Sequence, residues 1–262
     1  MTGYQKNKII FGSAGFGIKS YGFASLNPPS YSNDFLKCIF NIGITNVDTA
    51  PSYGNAEKKI GSYNKNNKDK FNIWTKVGNL TKNSHFTIDK IHKSVTKSLA
   101  DLNINNIECL YLHQNDIEIM EDKYVLRALQ SLKDKGNVKK AGVSIYNPSE
   151  LISSLFLDVY DVVQLPVSVS NTYLYNLAKK HNCKKTLVAR SVFLQGTLLN
   201  IERYNKSFNF SNDIITSVKL LKEIAYSHKI DYLGMILSYV MSLKNLSYVI
   251  LSSRNKENMK EI

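Results

Sequence analysis

Asn46-Val47-Asp48-Thr49-Ala50-Pro51-Ser52-Tyr53-Gly54-Asn55-Ala56-Glu57 is the stretch that decides how the chain is read. A short apolar run from Ile42 to Val47 stops abruptly at an acid. Pro51 and Gly54 then mark a loop, because proline fixes φ and glycine permits positive φ. The pattern predicts a helix beginning near Asn55, whose side chain would cap the free amides of the first turn. Strand, acid, loop, tyrosine and helix follow in immediate succession. That order puts Asp48 at the C-terminal end of a strand, with Tyr53 just above it. Taken singly, a strand-terminal aspartate is most often a turn residue and a loop tyrosine most often packing. The case therefore rests on how the other strands end.

Outward from this stretch the chain alternates. On its N-terminal side, a strand from Lys8 runs into a glycine-rich end with Gly12, Gly15 and Gly17. A dinucleotide-fold fingerprint needs a helix to open there at once. Tyr21-Gly22 and Asn27-Pro28-Pro29 read as loop instead, so that motif is set aside. A helix is predicted over 34–41, stopped by Gly43. On the C-terminal side, apolar spacing predicts helices over 56–63, 87–102 and 125–135, the last closed by Gly136. Further helices start at Pro148, run through Leu174, Leu177 and His181, and cover 214–225 and 232–243. Between them lie strands at 71–77, 107–113, 141–145, 162–165, 186–189 and 248–251, and a short helix closes the chain. Eight short apolar strands, nearly all followed by a helix, indicate one parallel α/β domain over residues 1–262. Eight repeats in 262 residues favour a closed (β/α)8 TIM barrel over an open doubly wound sheet.

Composition narrows the partners. The formal charge of +13 is large enough to attract a polyanion. The basic residues are spread along the chain, however, with no arm, stripe or aromatic-basic cluster, so no nucleic acid is expected. A bias toward Lys, Asn and Ile accounts for the charge as well as an anionic cofactor or substrate does. No run of 18 apolar residues predicts a membrane span, and the first residues lack the apolar core of a signal peptide. Cys38, Cys109 and Cys183 are widely spaced, which fits free thiols in the cytoplasm and offers no metal pair.

In a barrel of this kind the active site forms at the C-terminal strand ends. Strand two ends at Asp48, strand three at Lys76 and strand four at His113. Strand five ends at Ser144, strand six reaches Gln164, and strand seven ends at Arg190-Ser191. An acid, an amine and an imidazole thus converge on one mouth, with Tyr53 on the loop above. A free phenol titrates near 10, and an adjacent ammonium is expected to lower that value. Asp48 would keep Lys76 charged and in place, and His113 would donate a hydrogen bond to a substrate oxygen. The set suits protonation of a carbonyl oxygen as its carbon accepts a hydride.

At this point the sequence resembles an aldo-keto reductase. The 46–57 stretch is similar to that family's signature of an Asp, then Tyr-Gly, then a Glu. Trp74-Thr75-Lys76 and Leu110-Tyr111-Leu112-His113 resemble its lysine and histidine strands. Ala141-Gly142-Val143-Ser144, Val163-Gln164 and Ala189-Arg190-Ser191-Val192-Phe193-Leu194-Gln195-Gly196 resemble its later cofactor strands. The likeness covers almost the whole chain in the right order. It implies a barrel holding NADP(H), with NAD(H) the alternative, and a small-molecule carbonyl substrate that is anionic or sugar-like. By resemblance the catalytic residues are Asp48, Tyr53, Lys76 and His113, with Tyr53 the proton donor. Ser144 and Gln164 would hold the nicotinamide carboxamide. Gly15, Phe16 and Asp48 would contact the cofactor, with Arg190, Ser191, Leu194 and Gly196 from strand seven onward. After strand eight the contacts would be Ser252, Ser253, Arg254 and Asn258.

The chain differs from the family's usual pattern in two places near the ring. Ile145 stands where an asparagine commonly follows the serine, and Arg190 stands where many members stack an aromatic on the nicotinamide. The segment 197–213, with Tyr204, Phe208 and Phe210 beside Arg203 and Lys206, is expected to close over an anionic cofactor. A cofactor-holding subunit of the same fold with little turnover stays open as an alternative to the enzyme.

Overall fold

Eight parallel strands close on themselves: β1 (Ile9–Gly12), β2 (Asn46–Asp48), β3 (Asn72–Val77), β4 (Ile107–Leu112), β5 (Val138–Ser144), β6 (Val162–Pro166), β7 (Thr186–Arg190) and β8 (Leu246–Leu251). β1 pairs with both β2 and β8, so the sheet has no edge. This is the (β/α)8 barrel expected from the pattern of strands and helices. The computed structural model describes residues 6–18, 33–199, 201, 212–253 and 255–260. Arg254 and most of the expected lid, with Arg203, Tyr204, Lys206, Phe208 and Phe210, lie outside the described residues.

Around the barrel run α1 (Ala14–Gly17), α2 (Asn33–Asn41), α3 (Ala56–Asn66), α4 (Phe86–Leu102), α5 (Ile117–Met120), α6 (Lys123–Asp134), α7 (Pro148–Phe156) and α8 (Tyr173–Lys180). They are followed by α9 (Asn212–Ser227), α10 (Tyr232–Ser242) and α11 (Lys256–Lys260). Local chemistry sets several of their ends. Asp122 caps α6 by accepting from the amides of Tyr124 and Val125. Asn147 and Glu150 form a reciprocal capping box at α7, with Pro148 in its first turn. Gly43 and Gly136, at positive φ, end α2 and α6. Two local expectations are corrected. The Asn55 side chain makes no cap at α3; the turn is held by the Ala56 amide donating to the Tyr53 carbonyl, at 3.1 Å. A helical turn, α1, does open directly after β1 where loop was expected. It is a single turn, and it feeds a barrel rather than a dinucleotide fold.

Two apolar layers fill the molecule. The larger lies between strands and helices and includes Phe11, Phe35, Ile60, Leu112, Val143 and Ile145. The smaller is Ile10, Trp74, Cys109, Tyr111, Val162 and Val188, with Tyr248 and Ile250 packed on it. Side chains alternate faces along a strand, so this smaller set plugs the barrel. Tyr111 sits opposite Gly142 in register, and a Cβ on Gly142 would come within 2.8 Å of the Tyr111 ring. The alternation continues upward from the plug. Two residues beyond Trp74 comes Lys76, beyond Tyr111 comes His113, beyond Val162 comes Gln164, and beyond Val188 comes Arg190. On these four strands the inward plug residue is thus followed, one step nearer the mouth, by a polar one.

Candidate active site

Asp48 and Lys76 sit on hydrogen-bonded neighbouring strands, and both are buried. Lys76 Nζ lies 2.6 Å from Asp48 Oδ1 and donates also to the Thr49 carbonyl at 2.9 Å. Burying such a pair costs desolvation that the attraction only partly returns. Its presence here is better explained by chemistry than by stability.

Tyr53 is set above the pair by a tight turn, its amide donating to the Ala50 carbonyl at 2.9 Å. Lys76 Nζ is 5.0 Å from the centre of the Tyr53 ring. His113 meets the same ring edge-on at 6.2 Å between centroids. The loop is locked from the side by α1. A Cβ on Gly17 would fall 1.7 Å from the Tyr53 carbonyl oxygen, and Gly54, at φ +59°, packs back against Gly17. Lys59 Nζ fastens the other flank by donating to the Phe16 carbonyl at 2.8 Å. Gly17→Ala should therefore push the Tyr53 loop away and destabilise the fold by about 1–3 kcal/mol, the usual cost of overpacking. A thermal melt checks this; an unchanged melting temperature would show that the contact yields freely.

Glu57, the last residue of the opening stretch, does not reach the mouth. It accepts from Thr75 Oγ1 at 2.7 Å and from Ser98 Oγ at 3.2 Å, tying α3 to β3 and α4. It braces the strand that carries Lys76. Burial raises its pKa, with the two hydroxyls pulling the other way and Asp101 adding a smaller upward push.

The electrostatics of Tyr53 differ from expectation. Its phenol is pushed well above the ordinary value near 10, first by burial, then by the negative charge of Asp48 and by Tyr146, with Arg190 opposing. Lys76 does not lower it, because its charge is matched at 2.6 Å by Asp48. His113 is shifted down by burial and by Lys76, with Asp48 opposing, so the imidazole is neutral near pH 7.

A cavity of about 520 Å³ opens over this cluster. Its wall includes Asp48, Tyr53, Lys76 and His113, then Ser144, Gln164, Arg190 and Ser191, and at the far rim Gly196, Ser252, Ser253 and Asn258. Gly15 also lines it. Two residues expected at the cofactor are placed elsewhere. The Phe16 side chain packs in the core against Phe11 and Phe35. Leu194 is partly buried against the larger apolar layer and is not part of the cavity wall. Several lining residues were not singled out in the sequence, among them the polar Tyr146, Gln195 and Asn255. Tyr146 had a usable signal, since it directly follows a strand end.

Arg190 is anchored across the mouth. Its Nη2 donates to the Ile145 carbonyl at 2.8 Å, and its guanidinium lies 4.0 Å from the centre of the Tyr146 ring. The Ile145 side chain faces the outer apolar layer, so at the mouth this residue offers only its backbone. The donor set suits a nicotinamide dinucleotide. Buried Ser144 and Gln164 offer hydroxyl and amide groups at the floor, hydroxyls and amides line the rim, and Asp48 is the single acid among the described lining residues. Among the described residues there is no cluster able to hold a metal ion, and no helix is long and apolar enough to cross a membrane.

Comparison with known proteins agrees with the fold. The profile of the aldo/keto reductase family matches residues 8–262. The chain is 26% identical over 231 residues to D-arabinose 1-dehydrogenase of Saccharomyces cerevisiae, covering 80% of this chain and 68% of that one. It is 26% identical over 142 residues to L-galactose dehydrogenase of Arabidopsis thaliana, covering 50% of this chain and 44% of that one. It is 25% identical over 202 residues to 6-dehydroglucose reductase of Agrobacterium fabrum, covering 71% and 62%. Among solved structures, glycerol dehydrogenase of Gluconobacter oxydans shares the fold with a TM-score of 0.71 at 19% identity, over 95% of this chain and 83% of that one. An aldo-keto reductase from a deep-sea metagenome of the Medee basin does so with a TM-score of 0.67 at 20% identity, over 96% and 82%. By sequence profile and by barrel, the chain belongs to the aldo/keto reductase family of oxidoreductases.

Proposed function

We propose that the protein reduces a sugar-type carbonyl to an alcohol with NADP(H), using Tyr53 as the general acid. One observation carries the reading: Tyr53, His113 and the Lys76–Asp48 pair meet at the floor of one cavity. The nicotinamide, when bound, supplies the hydride. Tyr53 gives its proton to the carbonyl oxygen, and neutral His113 donates a hydrogen bond to that same oxygen. Arg190, the group whose charge opposes the rise of the Tyr53 pKa, steadies the negative charge that grows on Tyr53 as its proton leaves. Lys76 lies 5.0 Å from the ring centre and fixes the floor beneath it. Asp48 holds Lys76 in position, and Ser144 and Gln164 grip the carboxamide. The sugar preference draws on the sugar-acting relatives and on the polar rim of the cavity. NADP(H) is the preferred cofactor and NAD(H) the alternative. Residues 1–262 act as one catalytic domain, and three free thiols suit the cytoplasm.

The test is consumption of NADPH with a panel of aldoses, keto-sugars and simple aldehydes. No consumption above the protein-free blank would overturn the reading. The direction of the phenol's shift adds a pH signature. Its raised pKa keeps Tyr53 protonated beyond the ordinary value, so reduction should show no alkaline fall up to about pH 9.5. Oxidation needs the phenolate, so its kcat/KM should climb by roughly tenfold per pH unit over the same range. Steady-state rates in both directions check this, and an alkaline loss of reduction with a midpoint below about pH 9 contradicts it.

A further inference from the structure

Tyr146 and Arg190 meet across the mouth of the barrel. Arg190 ends β7 and Tyr146 follows β5, with β6 between them. The guanidinium lies 4.0 Å from the centre of the Tyr146 ring, and Arg190 Nη2 donates to the Ile145 carbonyl at 2.8 Å. Both residues line the catalytic cavity. Tyr146 is 60% exposed, so core packing does not account for where its ring stands. Its backbone is fixed from α7. The Tyr146 amide donates to Glu150 Oε2 at 2.6 Å, and the same buried carboxylate receives the Asn147 amide at 3.2 Å and Asn115 Nδ2 at 2.7 Å.

An arginine at an open rim can turn its charge out to water, where its pull on neighbouring groups is screened. Two contacts of different kinds oppose that here. The bond to the Ile145 carbonyl fixes one edge of the guanidinium, and the Tyr146 ring covers one face. A cation over an aromatic ring is favoured over its release by roughly 2- to 30-fold, the larger values belonging to drier contacts. Held in this place, the charge reaches the reacting groups. Burial is the first cause of the shifts at Tyr53 and His113, and Arg190 acts on both, against the rise of the phenol and with the fall of the imidazole.

We infer that Tyr146 is a positioning residue: its ring, with the Ile145 carbonyl, holds the Arg190 guanidinium over the mouth so that the charge acts on Tyr53 and His113. The ring carries this role and the hydroxyl does not, because the cation sits on the π face. Tyr146 acts through Arg190 and has no such effect once the arginine is gone. The catalytic consequence rests on the reading of Tyr53 as the general acid given above; the placement of the charge does not.

The test reads the charge directly, by NMR titration of the His113 imidazole in the protein without added cofactor, its signal assigned by its loss in His113→Gln. Arg190→Met removes the charge and should raise the His113 pKa. Tyr146→Leu should raise it too, and by no more than Arg190→Met does. Tyr146→Phe keeps the ring and should keep the wild-type titration. The double variant, Tyr146→Leu with Arg190→Met, should titrate as Arg190→Met alone, since the ring then has nothing to hold. The other groups that face the imidazole, Lys76, Asp48 and the Tyr53 ring, are common to all these proteins. Turnover should follow the titrations, with kcat lower by at least about tenfold in Arg190→Met and by roughly two- to tenfold in Tyr146→Leu. An unshifted His113 in Tyr146→Leu or in Arg190→Met overturns the inference, as does a double variant that shifts beyond Arg190→Met. A wild-type protein without turnover is a different result: it overturns the carbonyl-reductase reading, and the titrations still decide the placement of the charge.

Discussion

Tyr53→Phe is expected to lower turnover by at least about 100-fold, the lower range of what a positioned general acid contributes. The substitution keeps the ring and deletes only the hydroxyl. The contact with Lys76 at 5.0 Å and the edge-on packing of His113 both involve that ring and should survive. The dissociation constant for NADPH should therefore be close to wild type while kcat falls. Stopped-flow single turnovers separate the two quantities. Retention of nearly full turnover would remove Tyr53 from the mechanism and return attention to His113.

Lys76→Met should have the next largest effect, on stability as well as rate. It leaves Asp48 buried with its charge facing an apolar side chain and only Gln164 for compensation. Removing one partner of a buried ion pair costs about 3–5 kcal/mol. The shift would appear in the midpoint of a urea unfolding curve, accompanied by loss of turnover. Replacing both residues, as Asp48→Leu with Lys76→Met, should return most of the stability and none of the activity. A single variant that unfolds at the wild-type midpoint would mean that Asp48 is far less dependent on Lys76 than 2.6 Å suggests.

The barrel is legible in the sequence because its signal is repeated eight times. Each apolar run has a polar end, and side chains of alternating face carry Trp74 to Lys76 and Tyr111 to His113. Ile145 could have been placed by the same rule, since Ser144 faces inward and its neighbour must face out. Other features depend on contacts that no local pattern encodes. The hydrogen bond from Gln164 to Asp48 exists only once the sheet closes. The phenol of Tyr53 was expected to respond to the charge of Lys76, but burial and Asp48 govern it. Phe16 sits beside a glycine-rich turn, as a ligand-binding residue would, yet its ring belongs to an aromatic cluster with Phe11 and Phe35. Asn55 has the composition of a cap and is displaced from that task by the turn before it.

Glu57 gives the fold an unusual relation to acid. Most carboxylates that are paired in a native structure have depressed pKa values, and the stability they lend disappears as the pH falls. Glu57 is shifted the other way, chiefly by burial. A group whose folded pKa lies above its unfolded one lends stability that is fully present below the unfolded value and is lost as the pH rises through the folded one. At this position the native state competes for a proton better than the unfolded chain does. Protonation here removes the cost of burying the charge, so at this position mild acidity favours the folded state, although the bonds from Thr75 and Ser98 that brace α3 to β3 and α4 pull the other way.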